Sequence, residues 1–172
     1  WGNPHSDHAH GFQALKIVDQ SKEAIAALLG ADPDEILFTS GATEANNLAV
    51  KGVMTSAARR GNHLVVTSIE HKCVLEAAYS LSQSGVEVTE VQPDTDGLVS
   101  AEAVAQALRP DTALVSVMHA NNETGVLQPV REIAEICHQY GILFHTDAAQ
   151  TVGKIDVDFD DIDADLLSFS GH

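Results

Sequence analysis

Basic residues are scarce in this chain. Nine lysines and arginines stand against 25 aspartates and glutamates, a formal charge of −16. Phosphate backbones are bound by clustered Lys and Arg, so nucleic acid is not an expected partner. The charge favours solubility without pointing to any one activity. Cysteine is nearly lacking: Cys73 and Cys137 cannot build a disulfide framework, and neither lies in a CxxC motif. That usage fits a reducing compartment, and a cytoplasmic location is expected. No apolar run approaches the ~18 residues of a membrane helix, so no membrane association is expected. A signal peptide, a GxxxxGK[ST] loop, internal repeats and low-complexity linkers are also missing.

Apolar residues make up 44% of the 172, which argues against disorder and suffices for one domain with a sizeable core. The chain opens on Trp1-Gly2-Asn3-Pro4 without an initiator Met and stops at Ser168-Phe169-Ser170-Gly171-His172, just after a strand-like run. Strands rarely finish a domain uncovered, so both ends are expected to be cuts in a longer protein.

Strand and helix patterns alternate. Gly11 to Leu29 reads as a helix with Leu15, Val18, Ile25 and Leu29 on one face, ended by Gly30. Glu35 to Thr39 reads as a strand. The helix after it is expected to turn Ala45, Leu48, Ala49, Gly52 and Val53 inward. Strands follow at His63 to Ser68, Val86 to Val91, Ala113 to Met118, Gly141 to Phe144 and Asp165 to Ser170. Helices run from about His71 to Ser82, from the Ser100 cap to near Leu108, and from Pro129 with Val130, Ile133, Ala134 and Cys137 inward. Residues 153–163 read as an acidic connector. This alternation predicts an α/β fold with right-handed crossovers and a mostly parallel sheet flanked by helices, a three-layer α/β/α arrangement.

Ligands bind at the carboxyl ends of such strands, and polar groups gather there. Asp147 follows the Gly141-to-Phe144 run; it could pair with a buried cation, a pyridinium nitrogen among the candidates, or merely cap the next turn. Ser40-Gly41-Ala42-Thr43-Glu44 leads from a strand into a helix N-terminus, either an anion site or a tight turn that binds nothing. His71 and the cluster His119-Ala120-Asn121-Asn122 sit at two further strand ends. His5, His8 and His10 beside Asp7 match no tight metal-ligand spacing. His145-x-Asp147 with a distant histidine is the pattern of a facial-triad iron site, and a weak one.

Six blocks in order resemble the cysteine desulfurases of the NifS/IscS type, pyridoxal-phosphate enzymes of the class V aminotransferase group. They are Gly2-Asn3-Pro4-x-Ser6-x-His8, Phe38-Thr39-Ser40-Gly41-Ala42-Thr43-Glu44-x-Asn46-Asn47, Glu70-His71-Lys72, Asn121-Asn122-Glu123-x-Gly125, Asp147-Ala148-x-Gln150-x-x-Gly153 and Ser168-Phe169-Ser170-Gly171-His172. The resemblance covers essentially the whole chain. It implies part of a fold-type I large domain, incomplete at both ends, with a seven-stranded mixed sheet in the family.

The resemblance also implies roles. Ala42 and Thr43 would hold the cofactor phosphate, helped by Ser170 and His172. Asp147 would pair with the pyridinium nitrogen, and Gln150 would bond the phenolic oxygen. Asn122 would sit near that oxygen or the substrate carboxylate, and His71 would stack on the ring and move protons. L-cysteine would yield L-alanine and an enzyme persulfide for iron–sulfur or thio-cofactor assembly, by a homodimer that meets sulfur-acceptor or scaffold proteins.

The family's Schiff-base lysine would follow His172, and its catalytic cysteine lies later still. Cys73, Cys137 and Lys72 match neither role, so the piece alone is expected to be inactive. The alternatives are a sister activity (selenocysteine lyase, aminotransferase or epimerase) or a non-catalytic fragment.

Overall fold

Runs such as His63-Leu64-Val65-Val66-Thr67 are too short for helices and suit a sheet covered on both faces. The computed structural model describes residues 2–171 and turns five of these runs into strands. They are β1 (His63–Thr67), β2 (Glu87–Val91), β3 (Thr112–Ser116), β4 (Leu143–Asp147) and β5 (Leu166–Ser168). Every pairing is parallel, and the order is β2-β1-β3-β4-β5. The helices are α1 (Ala9–Leu29), α2 (Ala42–Thr55), α3 (Lys72–Gln83), α4 (Ala101–Ala107), α5 (Val130–Gln139) and the short α6 (Phe159–Ile162).

The chain divides into two compact units. One runs up to residue 38 with residues 158–160 and holds α1; the other spans residues 39–157 with residue 161 onward and holds the sheet. Within the sheet unit, the step from β1 to β2 and the step from β2 to β3 run in opposite directions. Right-handed crossovers therefore put α3 and α4 on opposite faces. α2 packs beside α3, and α5 beside α4, which gives the three expected layers. Val50, Met54, Leu64, Val66, Val74, Ala77, Leu81 and Leu114 fill the layer under α2 and α3. The order reverses between β1 and β3, where a doubly wound sheet opens a crevice at its carboxyl rim.

Several expectations are corrected. Glu35 to Thr39 is not a strand: Pro33–Glu35 is a 3₁₀ turn, and residues 36–38 have no ladder partner among the described residues. Backbone groups become a strand only when a neighbour takes their hydrogen bonds, and Leu37 is left 69% exposed. The sheet has five parallel strands among the described residues, as expected of a part of the family's seven-stranded mixed sheet.

The inward face of α2 is Asn46, Val50 and Met54, one helical stripe, while Leu48 is 50% exposed. A polar residue can occupy that stripe because side chains beneath it accept its hydrogen bonds. α1 buries Gly11, Ala26 and Leu29 and leaves Leu15 exposed. The acidic connector contains α6. The Ser100 cap forms, its hydroxyl accepting from the Ala103 N–H at 3.1 Å.

Two buried histidines tie strands together through side chains. His63 on β1 meets Thr112 on β3 and Thr89 on β2, each at 2.8 Å. His145 on β4 meets Ser116 on β3 at 2.8 Å and Ser168 on β5 at 2.9 Å. A hydroxyl can donate or accept, so a neutral imidazole finds a partner for both its donor and its acceptor nitrogen, and burial favours that uncharged form.

Burial pushes the pKa of His145 from 6.5 down to about 4. The stability it contributes is therefore present above 6.5 and is lost as pH falls toward about 4. His145→Ala should destabilise the protein by roughly 1–3 kcal/mol near neutrality, through two orphaned hydroxyls. It should also flatten the acid limb of stability against pH. Denaturant unfolding of both proteins across that range checks this; an unchanged acid limb would refute it.

Candidate active site

A parallel sheet delivers all its strand exits to one rim. Here the exits of β1, β3, β4 and β5 and the N-terminus of α2 enclose a cavity of about 340 Å³. α2 starts at Gly41, whose φ of 154° and ψ of 179° lie in a region open essentially to glycine. An added Cβ would meet nothing within 4 Å, so the requirement is torsional. No side chain caps the helix. Its first amides and the positive end of its dipole therefore face the cavity at Ala42 and Thr43, a setting for an anion. Glu44 also lines the cavity, its carboxylate accepting from the Ser40 N–H at 2.6 Å.

Asp147 closes β4 and is 5% exposed. Its Oδ2 accepts from Asn46 Nδ2 at 2.7 Å and its Oδ1 from the Ala149 N–H at 3.0 Å. The second bond is the turn cap foreseen as the plain alternative, and the residue still lines the cavity. Gln150 lines it as well; its Oε1 is taken by Lys154 Nζ at 3.0 Å, which leaves its N–H groups for a ligand oxygen. His71 is the N-cap of α3, its Nδ1 accepting from the Cys73 N–H at 3.2 Å. Asn122, in the turn after β3, and Ser170, after β5, complete the wall. Seven of the eight residues expected from sequence thus share one cavity, and His172 lies outside the described residues.

Three residues beside the cavity were not foreseen. Asn46 and Cys73 bond to groups of the wall; the signal for Asn46 was a polar residue in the Val50 and Met54 stripe. Glu70 is the third. Its Oε1 accepts from Thr67 Oγ1 at 2.6 Å and from the Met118 N–H at 2.8 Å, tying the exits of β1 and β3 together. Its Oε2 is buried without a partner. Burial pushes its pKa up to about 8, Asp147 adds to the rise, and the bonds from Thr67 and Met118 oppose it. Nothing in the sequence marks that burial.

The iron-site alternative loses its histidine, because both His145 nitrogens are engaged by serine hydroxyls. Among the described residues no group of three or more His, Cys, Asp or Glu could hold a metal ion, the N-terminal histidines included. Lys72 is exposed and does not line the cavity. Cys137 is buried, with its thiol pushed up to about 12.

Comparison with known proteins places these features in a family. The family profile described as Aminotransferase class-V matches residues 1–172. A mitochondrial cysteine desulfurase of Eremothecium gossypii is 51% identical, covering 100% of this chain and 35% of its own length. The mouse cysteine desulfurase is 49% identical, covering 100% and 38%. The chain thus spans little more than a third of these curated relatives. The solved structure of SspA in complex with cysteine has a TM-score of 0.95 at 46% identity, covering 99% of this chain and 49% of that one. The class V aminotransferases and cysteine desulfurases depend on pyridoxal phosphate, and the sheet and its helices have their fold type I arrangement. No helix among the described residues is long and apolar enough to cross a membrane.

The raised pKa of Glu70 carries a sign. Its stability contribution is fully present below 4.5 and is lost as pH rises toward about 8, because the native state holds a proton that the unfolded state releases. Glu70→Gln keeps the acceptor for Thr67 and Met118 and cannot ionise. The variant should gain thermal stability over the unsubstituted protein as pH rises through that window. Melting temperatures of the two across the window decide; a constant difference would show that Glu70 does not titrate there.

Proposed function

The chain belongs to the class V aminotransferase family, and from that premise we propose that residues 1–172 are part of the pyridoxal-phosphate-binding large domain of a cysteine desulfurase. The full-length protein would take sulfur from L-cysteine, leave L-alanine and carry the sulfur as an enzyme persulfide. One observation carries the proposal: a buried, doubly bonded carboxylate and an uncapped helix N-terminus open into the same cavity.

The residues fit the cofactor. Pyridoxal phosphate brings a dianion and a protonatable ring nitrogen, and the cavity offers a positive helix end and a buried carboxylate with its orientation already fixed. When bound, the cofactor supplies an electron sink for bonds at the substrate α-carbon. The chain supplies the rest. Ala42 and Thr43 amides, the Thr43 hydroxyl and Ser170 would hold the phosphate, with His172. Asp147 would hold a proton at the ring nitrogen. Gln150 would donate to the phenolic oxygen through its free amide N–H, and Asn122 would face that oxygen or the substrate carboxylate. His71, an exposed residue of the cavity wall, would stack on the ring and move a proton.

The sulfur acceptor must be a thiolate. Burial raises the pKa of both Cys73 and Cys137, so neither suits that role, and the activity is assigned to a protein of the relatives' length. A homodimer, sulfur-acceptor or scaffold partners of iron–sulfur assembly, and a cytoplasmic location belong to the same proposal. Exposed Ile17 and Leu28, on one side of α1, support a covered face. The mitochondrial relatives mark the alternative location, which fractionation of the source cells decides.

The test is alanine and sulfide release from L-cysteine by the full-length, cofactor-loaded protein. Asp147→Ala should lower alanine release by about a hundredfold or more, as the loss of one electrostatic partner typically does. Release at the unsubstituted rate would remove Asp147 from the site. A cofactor-loaded protein that ignores L-cysteine but acts on selenocysteine, transfers amino groups or epimerises would move the assignment to a sister activity.

A further inference from the structure

Between Asp147 and His71 runs an unbroken line of hydrogen bonds through two residues to which no role has yet been given. Asn46 is fully buried on the inward stripe of α2. Its Nδ2 lies 2.7 Å from Asp147 Oδ2 and 3.3 Å from Cys73 Sγ, so the two amide hydrogens have two acceptors. The amide can face only one way. Reversed, its Oδ1 would oppose a carboxylate oxygen with no hydrogen between them. Asn46 Oδ1 is instead left buried without a partner. That orphan is the cost of this orientation, and it marks the Nδ2 contacts as the ones the fold maintains.

The line continues at Cys73. Its Sγ lies 3.0 Å from His71 Nδ1, and its backbone N–H points at the same nitrogen from 3.2 Å. A backbone amide can only donate, so Nδ1 accepts, and the ring proton of neutral His71 resides on Nε2. Burial raises the thiol pKa, so Cys73 keeps its hydrogen and gives it to Nδ1 while receiving one from Asn46. The line from Asn46 then runs outward, toward Asp147 at one end and toward His71 at the other, and the Cys73 thiol also takes a hydrogen bond from Thr43.

We propose that Asn46 and Cys73 are positioning residues: Asn46 holds the Asp147 carboxylate in place and, through the Cys73 thiol, helps to hold His71 as its Nε2–H tautomer. The proposal rests on Asp147 and His71 as the cofactor-facing groups of the preceding section. Its consequence is specific. His71 meets a ligand with a donor at Nε2, because the lone pair of its other nitrogen is already shared by the Cys73 N–H and thiol.

The first measurement is the tautomer of His71 in the full-length protein, by two-bond ¹H–¹⁵N correlation on ¹⁵N-histidine-labelled samples with and without pyridoxal phosphate. The expected result is Nε2–H in both. A proton on Nδ1 in the cofactor-free protein overturns the proposal without needing any variant to fold.

Variants then separate the two links. Asn46→Ala should weaken pyridoxal phosphate binding, titrated by absorbance, by about tenfold, the size of one lost bond to a charged group. Cys73→Ala should leave that affinity within about twofold while shifting the His71 ring resonances, and Cys73→Ser, which restores a donor, should return them toward their original positions. Unchanged cofactor affinity in a folded Asn46→Ala protein, or His71 resonances that do not respond to Cys73→Ala, would refute the corresponding link. Should the unsubstituted protein bind no cofactor, the functional assignment fails, and the cofactor-free tautomer still decides the inference.

Discussion

Parallel strand direction is the constraint on which the rest depends. Because β1, β3, β4 and β5 all run one way, their exits gather at one rim and bring together residues separated by more than a hundred positions. Asn46 and Asp147 are one such pair, 101 residues apart and 2.7 Å in contact. An antiparallel pair would send alternate exits to opposite ends of the sheet. The reversal of strand order between β1 and β3 then opens the rim to a ligand instead of closing it with a crossover helix.

The rim is costly to build. Glu70, Asp147 and Asn46 are buried polar groups at the exits, and His63 and His145 are buried within the strands. Each is tolerable only because hydrogen bonds replace the lost water. The two exceptions, Glu70 Oε2 and Asn46 Oδ1, both belong to residues that bond toward the cavity wall. The titrations oppose each other: His145 must stay neutral by remaining above its depressed pKa, and Glu70 by remaining below its raised one. Both groups are uncharged in the folded protein between about 4 and about 8, and their opposite contributions to stability balance between 4.5 and 6.5.

Much of this was legible in the sequence, for local reasons. Strand ends and helix starts are marked within a few residues, by a valine run, a glycine or a proline, so the placement of Asp147, Thr43 and His71 followed from neighbours in the chain. What was hidden depends on distant parts. Residues 36–38 have strand-forming side chains, but a strand exists only with a ladder partner. The inward face of α2 was misassigned by about one position, because apolar Leu48 was preferred to Asn46. The acceptors that make Asn46 an inward residue come from β4 and α3, and no window of sequence contains them. The protonation of Glu70 was hidden in the same way, since burial belongs to the fold and not to the residue.

The position of Asn46 in α2 sets one dimension of the site. The helix presents its first amides at Ala42 and Thr43 and reaches Asp147 through Asn46, about one turn farther along. One turn rises about 5.4 Å. The Asn46 side chain thus ties the Asp147 carboxylate to α2 about one turn from the helix's first amides. Under the proposed function, the phosphate arm of pyridoxal phosphate would meet the helix end and its ring nitrogen the Asp147 carboxylate, both on one rigid frame. A rigid frame would lose little conformational entropy on binding. Gly41, in its glycine-only conformation, decides where the first turn of α2 begins.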